Sequence, residues 1–157
     1  MANNCVIEMQ IDFANEESAK AFESKMIDEK RRAGREHGIY IGSDDRYFFD
    51  VCIDRYNDSV TLVGWVKWSL NRKDIMDWID YIQKINPISC MKAYYQEPGF
   101  ELYGYYELDK DGQLSDVYVD PEDFPDYDDD NFWEDLETLL QTKPSVELLC
   151  NIKEDTK

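Results

Sequence analysis

Carboxylates are the residues of this chain best equipped for chemistry. Asp126, Asp128, Asp129 and Asp130 crowd into DYDDD, and hard divalent cations such as Ca²⁺ and Mg²⁺ are bound through oxygens of this kind. Asp109, Asp111 and Asp116, around Gly112, follow a partial calcium-loop pattern, but the EF-hand spacing is incomplete and Asp111-Gly112 is accounted for as a hairpin turn. A divalent-metal-dependent enzyme built on the Asp cluster is thus the catalytic alternative. Other chemistry is poorly supplied. His37 is the only histidine, and it sits in REHGIYIGS with no nucleophile motif nearby, as a surface residue would. GxGxxG, P-loop, HExxH and GxSxG patterns are absent. Cys5, Cys52, Cys90 and Cys150 stand singly among apolar residues with no CxxC pair, which predicts reduced core residues rather than disulfides. No catalytic residue, resident metal or cofactor is expected.

The same carboxylates have a second reading as a charged surface. Residues 116–137 hold eleven acids and no Lys, Arg or His. Residues 1–100 carry 17 acids against 13 bases, whereas residues 101–157 carry 18 against 4, so most of the net charge of −18 sits in the last third. One carboxylate per two residues gives a charge every ~3 Å of helix or ~7 Å of extended chain, the same order as the ~3.4 Å spacing along a DNA strand. Acids preceding a helix favour the positive end of its dipole, and a solvated acidic face keeps a protein soluble; together these explain only a few of the eleven. Crowding the rest costs stability, which points to a binding surface. A pI near 4.2 argues against direct contact with nucleic acid or an anionic membrane, so the natural partner is itself basic.

The remaining composition bounds the class. At 157 residues, 43% apolar and 14% aromatic, the chain is expected to form a globular body with its own core. The start, MANNCVIEMQIDF, lacks a basic region followed by an apolar one, and no window approaches a membrane span, so a soluble, cytoplasmic protein is expected. Tyr94, Tyr95, Tyr103, Tyr105, Tyr106 and Tyr118 cluster on neighbouring predicted strands. Base stacking on them would need Lys or Arg among them, so core and interface packing fit better.

Periodicity supplies the elements that carry these residues. Residues 5–13 alternate as a half-buried strand. Asn15 caps a helix over residues 16–32, with Ala19, Phe22 and Met26 on one stripe, and Gly34, Gly38 and Gly42 then punctuate a loop. Residues 46–54 and 60–68, joined by YNDS, make a hairpin. A second helix over 71–85 opens with Asn71 and Asp74 in a capping box. Three strands follow, at 91–96, 100–109 and 113–119. A third helix is capped by Asn131 and Glu134, carries Phe132, Leu136, Leu139 and Leu140 on its stripe, and stops at Pro144. A short edge strand carries Val146, Leu148, Cys150 and Ile152. The order predicts an α+β fold: a ferredoxin-like β-α-β-β-α-β antiparallel sheet with a hairpin extension and a C-terminal acidic helical segment.

YYQEPGFELYGYYELDKDG, residues 94–112, resembles the Y-x-x-E-x-G-x-x-x-x-G pattern and hairpin of the Api92-like (YubB-type) ferredoxin-like proteins of phages and other mobile elements. M-x-N-x-C at residues 1–5 and WSL at residues 68–70 are similar to that family as well. The resemblance covers residues 1–115, implies a small ferredoxin-like domain without catalytic residues, and leaves 116–157 as an acidic extension packed on the same domain. A mobile-element setting makes host-directed inhibition a natural class. The expected function is therefore a non-catalytic interaction protein, a DNA mimic of the anti-CRISPR or anti-restriction type. It would occupy the basic nucleic-acid-binding surface of a bacterial CRISPR effector, restriction enzyme or similar protein. Its partner-binding residues would be Asp116, Asp120, Glu122, Asp123, Asp126, Tyr127, Asp128, Asp129, Asp130, Trp133, Glu134 and Asp135. A plain accessory domain of a mobile element is the remaining alternative.

Overall fold

The strict alternation at the start of the chain makes the central strand. In the computed structural model, which describes residues 4–32, 38–40, 47–142 and 147–151, strand β1 (Asn4–Phe13) buries Cys5, Ile7, Met9, Ile11 and Phe13 and turns the intervening side chains to the opposite face. Helix α1 (Glu16–Arg32) follows at once. Asn15 accepts from the Ser18 amide at 2.8 Å, and Glu16 and Glu17 occupy the first turn while Lys30, Arg31 and Arg32 occupy the last, each matching the helix dipole. Ala19, Phe22 and Met26 face the sheet, with the Phe22 and Phe13 rings 5.1 Å apart. His37, Gly34, Gly42, Pro144 and Ile152, singled out from the sequence, lie outside the described residues.

A short strand β2 (Ile39–Tyr40) interrupts the stretch expected to be loop and pairs with β3 (Tyr47–Tyr56). The β3–β4 hairpin turns at Asn57-Asp58 into β4 (Ser59–Lys67), Asn57 taking the left-handed φ of 55° that such tight turns favour. Between Phe49 and Cys52 the pairing of β3 with β4 slips, with Asp50 at φ 49°. The slip lets Phe48 and Val51 both face the core and turns Cys52 outward. Helix α2 (Arg72–Ile85) starts with the expected capping box. Asn71 accepts from the Asp74 amide at 2.9 Å and Asp74 from the Asn71 amide at 3.2 Å. Its buried stripe includes Ile75, Trp78, Ile79 and Ile82, with the Trp78 ring stacked 5.3 Å from Phe48.

Strands β5 (Ile88–Glu97), β6 (Leu102–Leu108) and β7 (Gln113–Tyr118) continue the sheet. The β6–β7 turn is organised by Asp109, whose carboxylate accepts from the amides of Asp111 and Gln113, both at 2.9 Å, while Gly112 takes φ 83°. Helix α3 (Phe132–Thr142) and strand β8 (Glu147–Asn151) complete the described chain. All neighbouring pairs are antiparallel, and the eight strands form one sheet in the order β2-β3-β4-β1-β5-β6-β7-β8.

This architecture corrects the expected two-layer ferredoxin-like β-α-β-β-α-β fold. The sheet does not close after β5, because β6, β7 and β8 extend the same hydrogen-bonded ladder, and β2 adds a strand at the other edge. Nor does it have two layers. Helices α1 and α2 cover one face over a core that runs from Cys5 to Leu114, whereas α3 packs on the opposite face against β6 and β7. The register explains how both faces are covered at that end. Leu114, Asp116 and Tyr118 share the α1/α2 side with Tyr95 and Tyr106, while Tyr103, Tyr105 and Val117 point to the α3 side, where they meet Val119, Phe132, Leu136 and Leu140. The expected boundary at 115/116 falls inside β7.

Cysteine placement also departs from expectation. Cys5 is buried, but Cys52 is exposed through the β3 slip, and Cys90 is only half-buried, its thiol donating to Asp12 at 3.1 Å. Burial, followed by the carboxylate of Asp12, pushes the Cys90 thiol up to about 11.

Candidate functional site

The acidic segment is an ordered surface tied to the sheet by its interleaved apolar residues. Val117 and Val119 anchor it at one end and Phe132, Leu136 and Leu140 at the other. Between them the chain makes a single 3-10 turn at Pro121–Asp123, then a tight bend in which the Asp126 carboxylate accepts from the Asp128 amide at 3.1 Å. Asp129 starts α3: its carboxylate accepts from the Asn131 amide at 3.0 Å and its carbonyl from the Phe132 amide at 3.1 Å. These bonds form a turn just ahead of the helix, and Asn131 holds the N-cap position through its backbone, its carbonyl accepting from the Asp135 amide at 2.9 Å. The Asp126 and Asp129 carboxylate contacts are local side chain to backbone bonds that Asp forms readily.

Of the residues predicted to bind a partner, Asp120, Glu122, Asp123, Asp126, Asp128, Asp129, Asp130 and Glu134 are exposed together on this segment, and Asp135 is half-buried beside them. Tyr127 is 55% and Trp133 49% exposed, and both rings are held in place. Tyr127 stacks on Phe132 with centroids 5.2 Å apart, and Trp133 meets Phe132 edge-on at 5.2 Å and Tyr103 at 6.4 Å. The surface thus combines dense negative charge with two preorganised exposed aromatics, the residue types that carry binding energy at interfaces.

Asp116 does not belong with them. It sits within β7 on the α1/α2 side, where its carboxylate accepts from the Tyr95 hydroxyl at 2.9 Å. Burial, and then the charge of Asp116, raise the Tyr95 phenol far above its ordinary range, so Tyr95 stays a donor at any physiological pH. Gly104 makes room for this bond, since a Cβ there would lie 2.7 Å from the Tyr95 hydroxyl. A one-residue parity in β7 decides the matter: Asp116 is on the inner face and Asp120 is beyond the strand.

Like-charge crowding is visible in one pair. Asp135 is raised above its ordinary value, first by the neighbouring Asp129 carboxyl, then by partial loss of solvent and by the Glu134 charge. Elsewhere among the described residues no three Asp, Glu, His or Cys side chains converge as metal ligands. Asp109 is engaged in its turn and Asp116 faces Tyr95, so the partial calcium-loop pattern does not come together in space. No helix among the described residues is long and apolar enough to cross a membrane.

One feature of this side escaped the sequence reading. Glu137, Leu140 and Gln141 line up on α3 at helical spacing and form one wall of a cleft of about 610 Å³ over the adjoining strands β1, β5 and β6. The i, i+3, i+4 spacing was legible, but which strands α3 faces was not.

Comparison of the chain with protein-family models, with curated proteins and with solved structures gives no match.

Proposed function

We propose that this chain is a non-catalytic interaction protein whose acidic C-terminal side occupies a basic, nucleic-acid-binding surface of another protein. The observation that carries the proposal is the state of the acids themselves. Glu122, Asp126, Asp128, Asp129, Asp130, Glu134 and Glu137 are exposed and make no ion pair among the described residues. Such a surface attracts a basic partner over several ångströms and repels nucleic acid, whose place it would take. Exposed Tyr127 and Trp133 supply apolar anchors within the charge. An inhibitor of a host nuclease or other defence protein is the form this function takes in the proposal.

The test replaces Asp126, Asp128, Asp129 and Asp130 with Asn, keeping size and polarity. Captured from a bacterial lysate and eluted by a salt gradient, a partner of the wild-type protein should elute earlier from the variant and with a shallower salt dependence, while circular dichroism is nearly unchanged. Unaltered affinity and salt slope would place the docking surface elsewhere and remove the mimicry function from this segment.

A further inference from the structure

The cleft between α3 and the sheet adjoins the acidic surface, and its lining specifies a chemistry. Its floor is a grid set by the strand register: Val6, Gln96 and Tyr103 in one row, Glu8, Tyr94 and Tyr105 in the next, then Gln10 and Lys92. Its wall is Glu137 and Gln141, and Glu137 is the last acid of the 116–137 run, so cleft and acidic surface are continuous.

Two observations show that the floor takes a cation. Lys92 already lies over it, its ammonium 4.0 Å from the Tyr105 ring centroid and 5.2 Å from that of Tyr94, within cation–π range. Lys92 stands opposite Glu107 in the β5–β6 register, and the described lining sets its one ammonium against the two carboxylates of Glu8 and Glu137. Glu137 and Tyr103 line the cleft together, and the Tyr103 phenol is raised by burial and then by the Glu137 charge. An anion entering here would meet two carboxylates and a chain of net charge −18. An aliphatic guest would leave the two carboxylates and the Gln side chains without partners.

We infer that the cleft receives an arginine side chain of the basic partner, its guanidinium stacked on Tyr103 and forked to Glu137 or Glu8. Arginine fits better than lysine because its planar group can stack and make paired hydrogen bonds to a carboxylate at the same time. The volume of about 610 Å³ admits the side chain with part of its backbone. The inference rests on the acidic-surface function proposed above, and adds to it a specific anchor: diffuse charge brings the partner in, and the cleft selects arginine.

The experiment uses a hexapeptide of alternating Gly and Arg and its Gly-Lys counterpart, titrated calorimetrically at 0.15 M NaCl. The wild-type protein should bind the Arg peptide several-fold more tightly than the Lys peptide. Glu8→Gln with Glu137→Gln should weaken the Arg peptide by about tenfold and erase the preference. The four-Asn variant of the acidic loop should weaken both peptides alike and keep the preference. Gln141→Arg, at an exposed position of α3, should fill the cleft from within and erase the preference even if the double variant does not fold. Binding of both peptides without an Arg preference, or a preference that survives Gln141→Arg and the double variant, overturns the arginine cleft and leaves the acidic surface standing. Failure of both peptides to bind the wild type overturns both.

Discussion

On the side of the sheet that carries α1 and α2, five acids of the two helices lie within ion-pair distance of a base. Glu16 meets Lys20 at 3.5 Å and Arg55 at 3.4 Å, Glu23 meets Arg55 at 3.2 Å, Glu29 meets Lys25 at 2.9 Å, and Asp77 and Asp80 meet Lys73 and Lys84 at 3.3 and 2.9 Å. Around α3 the acids outnumber the bases and crowd one another, and the neighbouring Asp129 raises Asp135 above its ordinary value. Both sides bury apolar stripes of similar kind, so the requirement for a core does not explain the contrast. Exposed ion pairs contribute little to stability, whereas unmatched acids in a crowd cost some. The two faces differ in how their charge is balanced, and the docking function proposed above accounts for that difference.

The largest test of the comparison asks whether the two sides fold together. Leu136→Ala removes a fully buried side chain beneath α3, and Ile79→Ala does the same beneath α2. Each should cost ~2 to 5 kcal/mol by lost transfer energy and the cavity left behind. Followed by guanidinium unfolding, both variants should keep one transition, because β7 contributes Leu114 to one core and Val117 to the other. Two transitions in Leu136→Ala alone would make the α3 side a separate unit.

Much of this frame was legible in the sequence because it is local. The five-fold alternation of β1, the Asn15 cap, the Asn71/Asp74 capping box, the β3–β4 turn and the stripe of α3 each depend on residues a few positions apart. What was not legible depends on partners distant in sequence. Alternation in β7 gives Leu114 and Asp116 to one face and Val117 to the other, but a strand covered on both faces has no polar side to mark which is which. The side taken by α3 therefore could not be read, and neither could the placement of Asp116 with Tyr95 or the cleft wall at Glu137. The slip between Phe49 and Cys52 was hidden too, since RYFFDVCID reads as an ordinary strand rich in aromatic and β-branched residues. The acidic surface, in contrast, was visible, because exposed charge needs no long-range partner.

A smaller effect is expected where the two sides meet. Tyr95→Phe removes the hydroxyl that Asp116 accepts from, and hydrogen bonds to charged groups contribute ~1.5 to 3 kcal/mol. Gly104→Ala should act through the same bond by pressing on the Tyr95 hydroxyl. Combined, the two substitutions should cost less than the sum of their separate effects, since each disrupts one interaction. Full additivity in urea unfolding would mean that the Gly104 position matters for the backbone of Val117 instead.

Salt addresses the crowding directly. As the Debye length falls from ~30 Å at 0.01 M to ~8 Å at 0.15 M salt, repulsion around α3 should be screened more than the contact ion pairs on the other side, and the melting temperature should rise. A melting temperature that falls over this range would mean that the ion pairs of α1 and α2 outweigh the crowd.

The finest distinction is one of sign. Lys84→Gln breaks an exposed i, i+4 pair with Asp80, and such pairs contribute ~0.3 to 0.5 kcal/mol, so the melting temperature at pH 7 should fall slightly. Asp135→Asn removes a charge from the crowd instead, and the melting temperature should rise. The pH dependence separates this relief from a generic gain in solubility. Asp135 is raised above its unfolded value, so the native state holds that proton more tightly. Its stabilising contribution is present below the ordinary carboxylate pKa and is lost as pH rises through the raised one, so it is absent at pH 7. Acidifying the wild-type protein into the carboxylate range should therefore recover part of the stability that Asp135→Asn gains at neutral pH, and the difference between the two proteins should shrink. A difference that stays constant with pH would show that the Asp129–Asp135 pair is not the source, and that the acids of α3 are spaced widely enough to ignore one another.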